Sequence, residues 1–183
     1  MNNIFVEEKN GSVTDLYSKL YKDRIIFLKG DIDDESSNLI KAQLIYLDNL
    51  SKDPIKIYID SPGGEVYTGL GIIDTMDYIS SPIETINIGL AASMAAVILA
   101  NGNVRKSLKN SRTMIHQPMG GMFGQTDDIS ITANELERVR KKLYKILSEK
   151  TGKSLKKIND DANRDYWMSA KESKKYGIID EII

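Results

Sequence analysis

Residues 56–90 read KIYIDSPGGEVYTGLGIIDTMDYISSPIETINIGL. KIYID (56–60) alternates β-branched and aromatic residues with polar ones and predicts a strand. SPGG (61–64) has the composition of a tight turn at its end, because proline presets φ and glycine accepts positive φ. In EVYTGLGIIDTMDYIS (65–80), Val66, Leu70, Ile73 and Met76 fall roughly on one side of a helix. PIETINIGL (82–90) is a strand again. Strand, helix and strand joined by short connections imply a right-handed crossover and parallel pairing, hence an α/β fold.

The same alternation extends both ways. Upstream, RIIFLKG (24–30) reads as a buried strand stopped by glycine. DDESSNLIKAQLIYLDNL (33–50) predicts a helix over 36–50, with Leu39, Ile40, Leu44, Leu47 and Leu50 on its apolar face behind Ser and Asp capping candidates. Downstream, AASMAAVILANG (91–102) predicts a buried helix and SRTMIHQP (111–118) a strand. After the glycine-rich GGMFGQTDD (120–128), ISITANELERVRKKLYKILSEKTGK (129–153) carries Leu136, Val139, Leu143 and Ile146 on a near-heptad stripe, with Gly152 placed to stop the helix. A narrow seam with charged flanks fits packing on its own core or docking on a copy of itself. Ser169 with Glu172 three residues on is a capping box, opening a last helix that ends at Gly177.

Composition narrows the function. The 183 residues suit one domain, and 25 Lys plus Arg against 26 Asp plus Glu give a formal net charge of −1, which supplies no field for nucleic acid or an anionic membrane surface. With no cysteine and a single histidine, His116, the usual metal ligands are scarce, and no metal and no cofactor are expected. No apolar run approaches the roughly 20 residues that span a bilayer, and MNNIFVEEKNG lacks the profile of a signal peptide, so the expected location is cytoplasmic.

One hydroxyl, Ser93, stands among small residues in GLAASMAA (89–96), between a strand and an apolar helix. That is the setting of a nucleophile on a sharp strand-to-helix turn, with the unpaired N–H groups of the helix start available to an oxyanion; close helix packing accounts for the small residues equally well. His116 closes a strand and is followed by Pro118 and two glycines, whose free backbone groups suit an extended peptide added as a strand. A serine and histidine need a carboxylate to fix the imidazole tautomer. Asp60, Asp127, Asp128, Asp160, Asp161, Asp165 and Asp180 all remain open by spacing; Asp165 precedes Tyr-Trp-Met, where apolar bulk would shield it.

IDSPGG (59–64), GLAASMA (89–95), SRTMIHQPMGG (111–121) and NRDYWMSAKESKKYGIIDE (163–181) resemble the ClpP family of ATP-dependent serine peptidases, and the similarity runs from DLYSKLYKDRIIFLKG (15–30) to the C-terminus. The resemblance implies a ClpP/crotonase-like spiral of β-α-β units with a protruding handle helix, forming one peptidase domain (1–183). A short N-terminal segment (about 1–16) would leave no long cleaved propeptide, and the handle region would cover about 119–152, its helix about 131–150. It implies Ser93 as nucleophile, His116 as general base, Asp165 as its partner, and the backbone N–H groups of Gly64 and Met94 as oxyanion hole. Gln117, Pro118, Met119 and Gly120 would flank the substrate strand, and Gln125 and Arg164 would contact a facing ring. The implied partners are further copies in two stacked seven-membered rings, or mixed rings with a paralogue, an AAA+ unfoldase ATPase, and unfolded polypeptides as substrate. Ala95 stands where the family usually has glycine, Asn163 where an acidic residue is common and Asp60 where asparagine is usual. Residues 93 and 116 are also about two positions closer than expected, a deletion assigned to the surface stretch NGNVRKSLKN (101–110). These departures motivate an alternative, a catalytically weak or silent subunit assembled with an active paralogue. A crotonase-type acyl-CoA enzyme is the more distant alternative, lacking an evident basic site for the CoA phosphates.

Overall fold

In the computed structural model, which describes residues 4–7 and 11–183, the chain forms a mostly parallel α/β sheet flanked by helices. A small antiparallel pair, β1 (Phe5–Glu7) and β2 (Val13–Asp15), leads into α1 (Leu16–Lys22); the remainder of the expected N-terminal segment lies outside the described residues. There follow β3 (Ile25–Ile32), α2 (Asp34–Leu50), β4 (Ile55–Gly64), α3 (Val66–Tyr78), β5 (Ile83–Ala92), α4 (Met94–Asn101), β6 (Val104–Ser107) and β7 (Arg112–Ile115). The chain ends with α5 (Thr126–Thr151), α6 (Leu155–Asp161), β8 (Tyr166–Ser169), α7 (Ala170–Tyr176) and β9 (Glu181–Ile182). The strand order β3-β4-β5-β6-β9 is parallel throughout, β7 also joins β5 in parallel, and β8 pairs antiparallel with β7.

SPGG is strand rather than turn. Every second residue from Ile55 is buried, and the phase continues through Ser61 and Gly63. The Asp60–Gly63 stretch is where the β3 and β4 registers shift, which accommodates Pro62 without an N–H for the ladder. Helix α2 begins two residues before the expected start because Asp33 caps it, accepting from the Ser36 N–H at 2.8 Å while the Ser36 hydroxyl accepts from the Asp33 N–H. Its buried face is Ser37, Ile40, Leu44 and Leu47; Leu39 and Leu50 turn outward. Helix α5 starts at Thr126, and it is Val139, Leu143, Tyr144 and Leu147 that enter the core, with Leu136 and Ile146 only partly covered. Gly152 ends it in the left-handed conformation, and Gly177 does the same for α7 behind the expected Ser169–Glu172 capping box.

Strand β5 changes partners along its length. Glu84–Asn87 pair with β6, whereas Leu90–Ala92 pair with β7. At the junction the fully buried Asn87 donates through Nδ2 to the Arg112 carbonyl (2.9 Å) and accepts from the Gly89 N–H at Oδ1 (3.1 Å). Its own carbonyl accepts from the Leu108 N–H and the Ser111 hydroxyl. Asp60 adds a further clasp by accepting from the Leu90 N–H at 3.1 Å. Truncation of Asn87 removes the side-chain partner of a part-buried carbonyl and a part-buried N–H. Asn87→Ala should therefore lower stability by about 2–4 kcal/mol, read as a fall of about 4–16 °C in melting temperature; a shift under 2 °C would contradict this account.

Candidate active site

Strand β5 delivers Ser93 to the start of α4, a helix in which all eight residues are buried. Ser93 has φ 55° and ψ −123°, a conformation that costs a non-glycine residue energy and that its surroundings must enforce. They do so from two sides. The Ser93 N–H donates to the Met114 carbonyl at 2.8 Å, tying the turn to β7. On the other side β4 presses so closely that a Cβ on Gly63 would lie 2.7 Å from both the Ser93 Cβ and the Ala92 oxygen, and Gly63 itself has φ +97°. Met94 opens the helix, so its N–H has no intrahelical acceptor. Ala95 is fully buried within α4, and the bond between Ser93 and the histidine forms beside it.

His116 follows β7 directly. Its Nε2 lies 2.8 Å from Ser93 Oγ and its Nδ1 lies 3.1 Å from Asp165 Oδ1. In the tautomer with the proton on Nδ1, the ring donates to the carboxylate and accepts from the serine hydroxyl. The three side chains left unconnected by sequence spacing are thus in one line. The other candidate aspartates have different occupations or none near the site. Asp60 holds β5, Asp161 accepts from the Tyr176 hydroxyl (2.7 Å) and pairs with Lys157, and Asp180 pairs with Arg105. Asp127, Asp128 and Asp160 are exposed.

The expected shielding of Asp165 is not found: its side chain is 60% exposed against 12% for His116. The two-residue period along β8 explains this, since Asp165 shares the outward face with Trp167 while Met168 is buried. The turn that carries Asp165 is held instead by tyrosines, with Tyr144 Oη donating to the Ala162 carbonyl at 3.3 Å and Tyr176 Oη to Asp161. Burial, reinforced by the adjacent Asp161 carboxylate, pushes the Tyr176 phenol well above its usual range; burial also raises Tyr144. Both hydroxyls therefore remain donors at any physiological pH.

Val66, Val97, Ile115, Leu143, Tyr144 and Leu147 line a small apolar cavity that opens beside Ser93 and His116. Pro118 borders it, and Gln117 turns its side chain to the Asn163 carbonyl (3.0 Å). Beyond His116, residues 117–124 belong to no strand and make no backbone hydrogen bond with the described residues. Met119 is 81% exposed, and Gly120 packs near Leu136 of α5. Gln125 precedes α5, and Arg164 is exposed without a salt bridge among the described residues. Gly64 lies opposite Ile32 at the end of β4, so close that a Cβ there would stand 2.2 Å from the Ile32 oxygen. Sequence reading missed Gly63 as the residue that makes room for Ser93 and Tyr144 as a cavity wall; the paired glycines of SPGG and the residue beside Leu143 were the available signals.

Comparison with known proteins identifies the family. A protein from Bacteroides fragilis described as "ATP-dependent Clp protease proteolytic subunit" is 52% identical over 189 aligned positions, covering 100% of this chain and 91% of the relative. One of the same description from Porphyromonas gingivalis is 51% identical over 185 positions, covering 97% and 82%. "ATP-dependent Clp protease proteolytic subunit 1" of Salinibacter ruber is 50% identical over 172 positions, covering 92% and 74%. The family model described as Clp protease matches residues 7–183, a span that takes in every element bearing on Ser93, His116 and Asp165, and the chain belongs to the Clp protease family.

Proposed function

We propose that this protein is a serine endopeptidase, the proteolytic subunit of an ATP-dependent degradation complex, with Ser93, His116 and Asp165 as its catalytic triad. The observation that carries the reading is the unbroken line from hydroxyl to imidazole to carboxylate, at 2.8 and 3.1 Å, on a backbone strained at the serine. His116 Nε2 takes the Ser93 proton as Oγ attacks a peptide carbonyl, and Asp165 steadies the imidazolium. His116 then passes that proton to the leaving amine, and water repeats the attack to free the acyl-enzyme. The oxyanion rests on the N–H groups of Met94, at the open start of α4, and of Gly64.

Substrate enters as an extended strand along residues 117–120, whose backbone groups are free to pair with it. The apolar cavity beside Ser93 favours an apolar side chain before the scissile bond. The turns of α5 before Val139 are largely uncovered, and with Phe123 and Met119 they leave apolar surface suited to self-assembly as a ring handle. Ile45 and Tyr46 add exposed apolar surface on α2 for a partner ATPase, which unfolds substrates and consumes the ATP. Among the described residues no helix is long and apolar enough to cross a membrane.

Purified protein should react with a fluorophosphonate at Ser93 and hydrolyse an apolar fluorogenic peptide. Ser93→Ala should cut that hydrolysis by about 10⁴-fold or more while the mass of the assembly in solution stays unchanged; retained turnover would overturn the triad. Gly63→Ala should lower kcat by about 10²-fold or more with a smaller change in KM, because the added methyl displaces the Ser93 turn and with it the oxyanion donors. Wild-type kcat in that variant would remove Gly63 from the account.

A further inference from the structure

Asp165 stands on a surface turn, yet its carboxylate has to keep station on a largely covered ring. The antiparallel ladder between β7 and β8 ends at the pair Ile115–Tyr166, one residue short of both His116 and Asp165. Past that point two side-chain bonds continue the joint. One is His116 Nδ1 to Asp165 Oδ1; the other is Gln117 Nε2, donating to the Asn163 carbonyl at 3.0 Å. Tyr176 and Tyr144 hold the entry to the turn at Asp161 and Ala162, but neither reaches beyond Ala162. Among the described residues, Gln117 is the last tether before Asp165.

We propose that Gln117 is a positioning residue of the triad, whose carboxamide fixes the 163–165 turn against the end of β7 and so keeps the Asp165 carboxylate on His116. The proposal rests on the serine-peptidase reading above. Its physical basis is competition with water: an exposed carboxylate gains little net free energy from one hydrogen bond, so a turn free to swing would spend much of its time solvated instead. The imidazole would then lose the partner that selects its tautomer and stabilises its charged form. Because the acceptor is the backbone of residue 163, the tether does not depend on the asparagine side chain there.

The test compares Gln117→Leu, of similar bulk but one bond shorter and without a donor, with the wild-type assembly. Peptide kcat should fall about five- to twentyfold, the equivalent of one lost hydrogen bond, with KM within about twofold. The ascending limb of the pH–rate profile should move as well, since the imidazole loses the carboxylate that stabilises its charged form. Gln117→Lys, which keeps a donor of sufficient reach, should recover most of the rate, and Gln117→Glu should not. In an Asp165→Ala background, Gln117→Leu should cost nothing further in the rate of fluorophosphonate labelling. Unchanged kinetics and pH limb, or an equal penalty without Asp165, would overturn the proposal. NMR of the single histidine in Ser93→Ala protein separates the two readings: changed His116 imidazole chemical shifts with Gln117→Leu support the tether whether or not the protein proves to be a peptidase, and unchanged shifts remove it.

Discussion

The buried Asn87 carboxamide holds strand β5 open where β6 leaves it and β7 arrives. A carboxamide suits this place because it donates and accepts at once, serving the Arg112 carbonyl on one side and the Gly89 N–H on the other. An aliphatic residue would leave both stranded, and a carboxylate would bring an unpaired charge. With the partner exchange made, the last residues of β5 run beside β7, and His116 follows β7 directly. Ser93 and His116 therefore meet because one strand pairs with two successors in turn.

Around that exchange the site is assembled from parts of unequal rigidity. Ser93 is clamped by the Met114 carbonyl, by the close approach of Gly63 and by a helix with no exposed face. Helices α3 and α4 pack so closely that a Cβ on Gly69 would lie 2.3 Å from the Met94 side chain. Asp165, by contrast, is held by a turn, two tyrosine hydroxyls and one carboxamide, with water on its outer side.

Much of this was legible in the chain. The 3.6-residue spacing of Ile40, Leu44 and Leu47, the Ser169–Glu172 cap and the stop at Gly177 translate directly, because each is a local rule that the fold obeys locally. Ser93 and His116 could be singled out by their neighbours. What stayed hidden depends on distant contacts. SPGG was read as a turn because its composition says so, while pairing with β3 and β5 keeps it extended. The short strand β6 escaped notice because Arg105 and Lys106 look solvated, yet Arg105 donates to the Lys150 and Gly177 carbonyls and pairs with Asp180, and Lys106 pairs with Glu84. Nothing in the spacing distinguishes Asp165 from Asp161. Only the fold sends one to the histidine and the other to a tyrosine.

The total burial of α4 has a consequence for how activity can be tuned. A side chain mounted at the start of a helix sealed in the core cannot be withdrawn without emptying that core, so Ser93 behaves as an anvil. Adjustment is left to the hammer side: the imidazole, the solvent-facing aspartate, and the unpaired stretch that follows them. Evolution or an engineer seeking a slower, faster or switchable version of this protein has its latitude there, and almost none along residues 91–101.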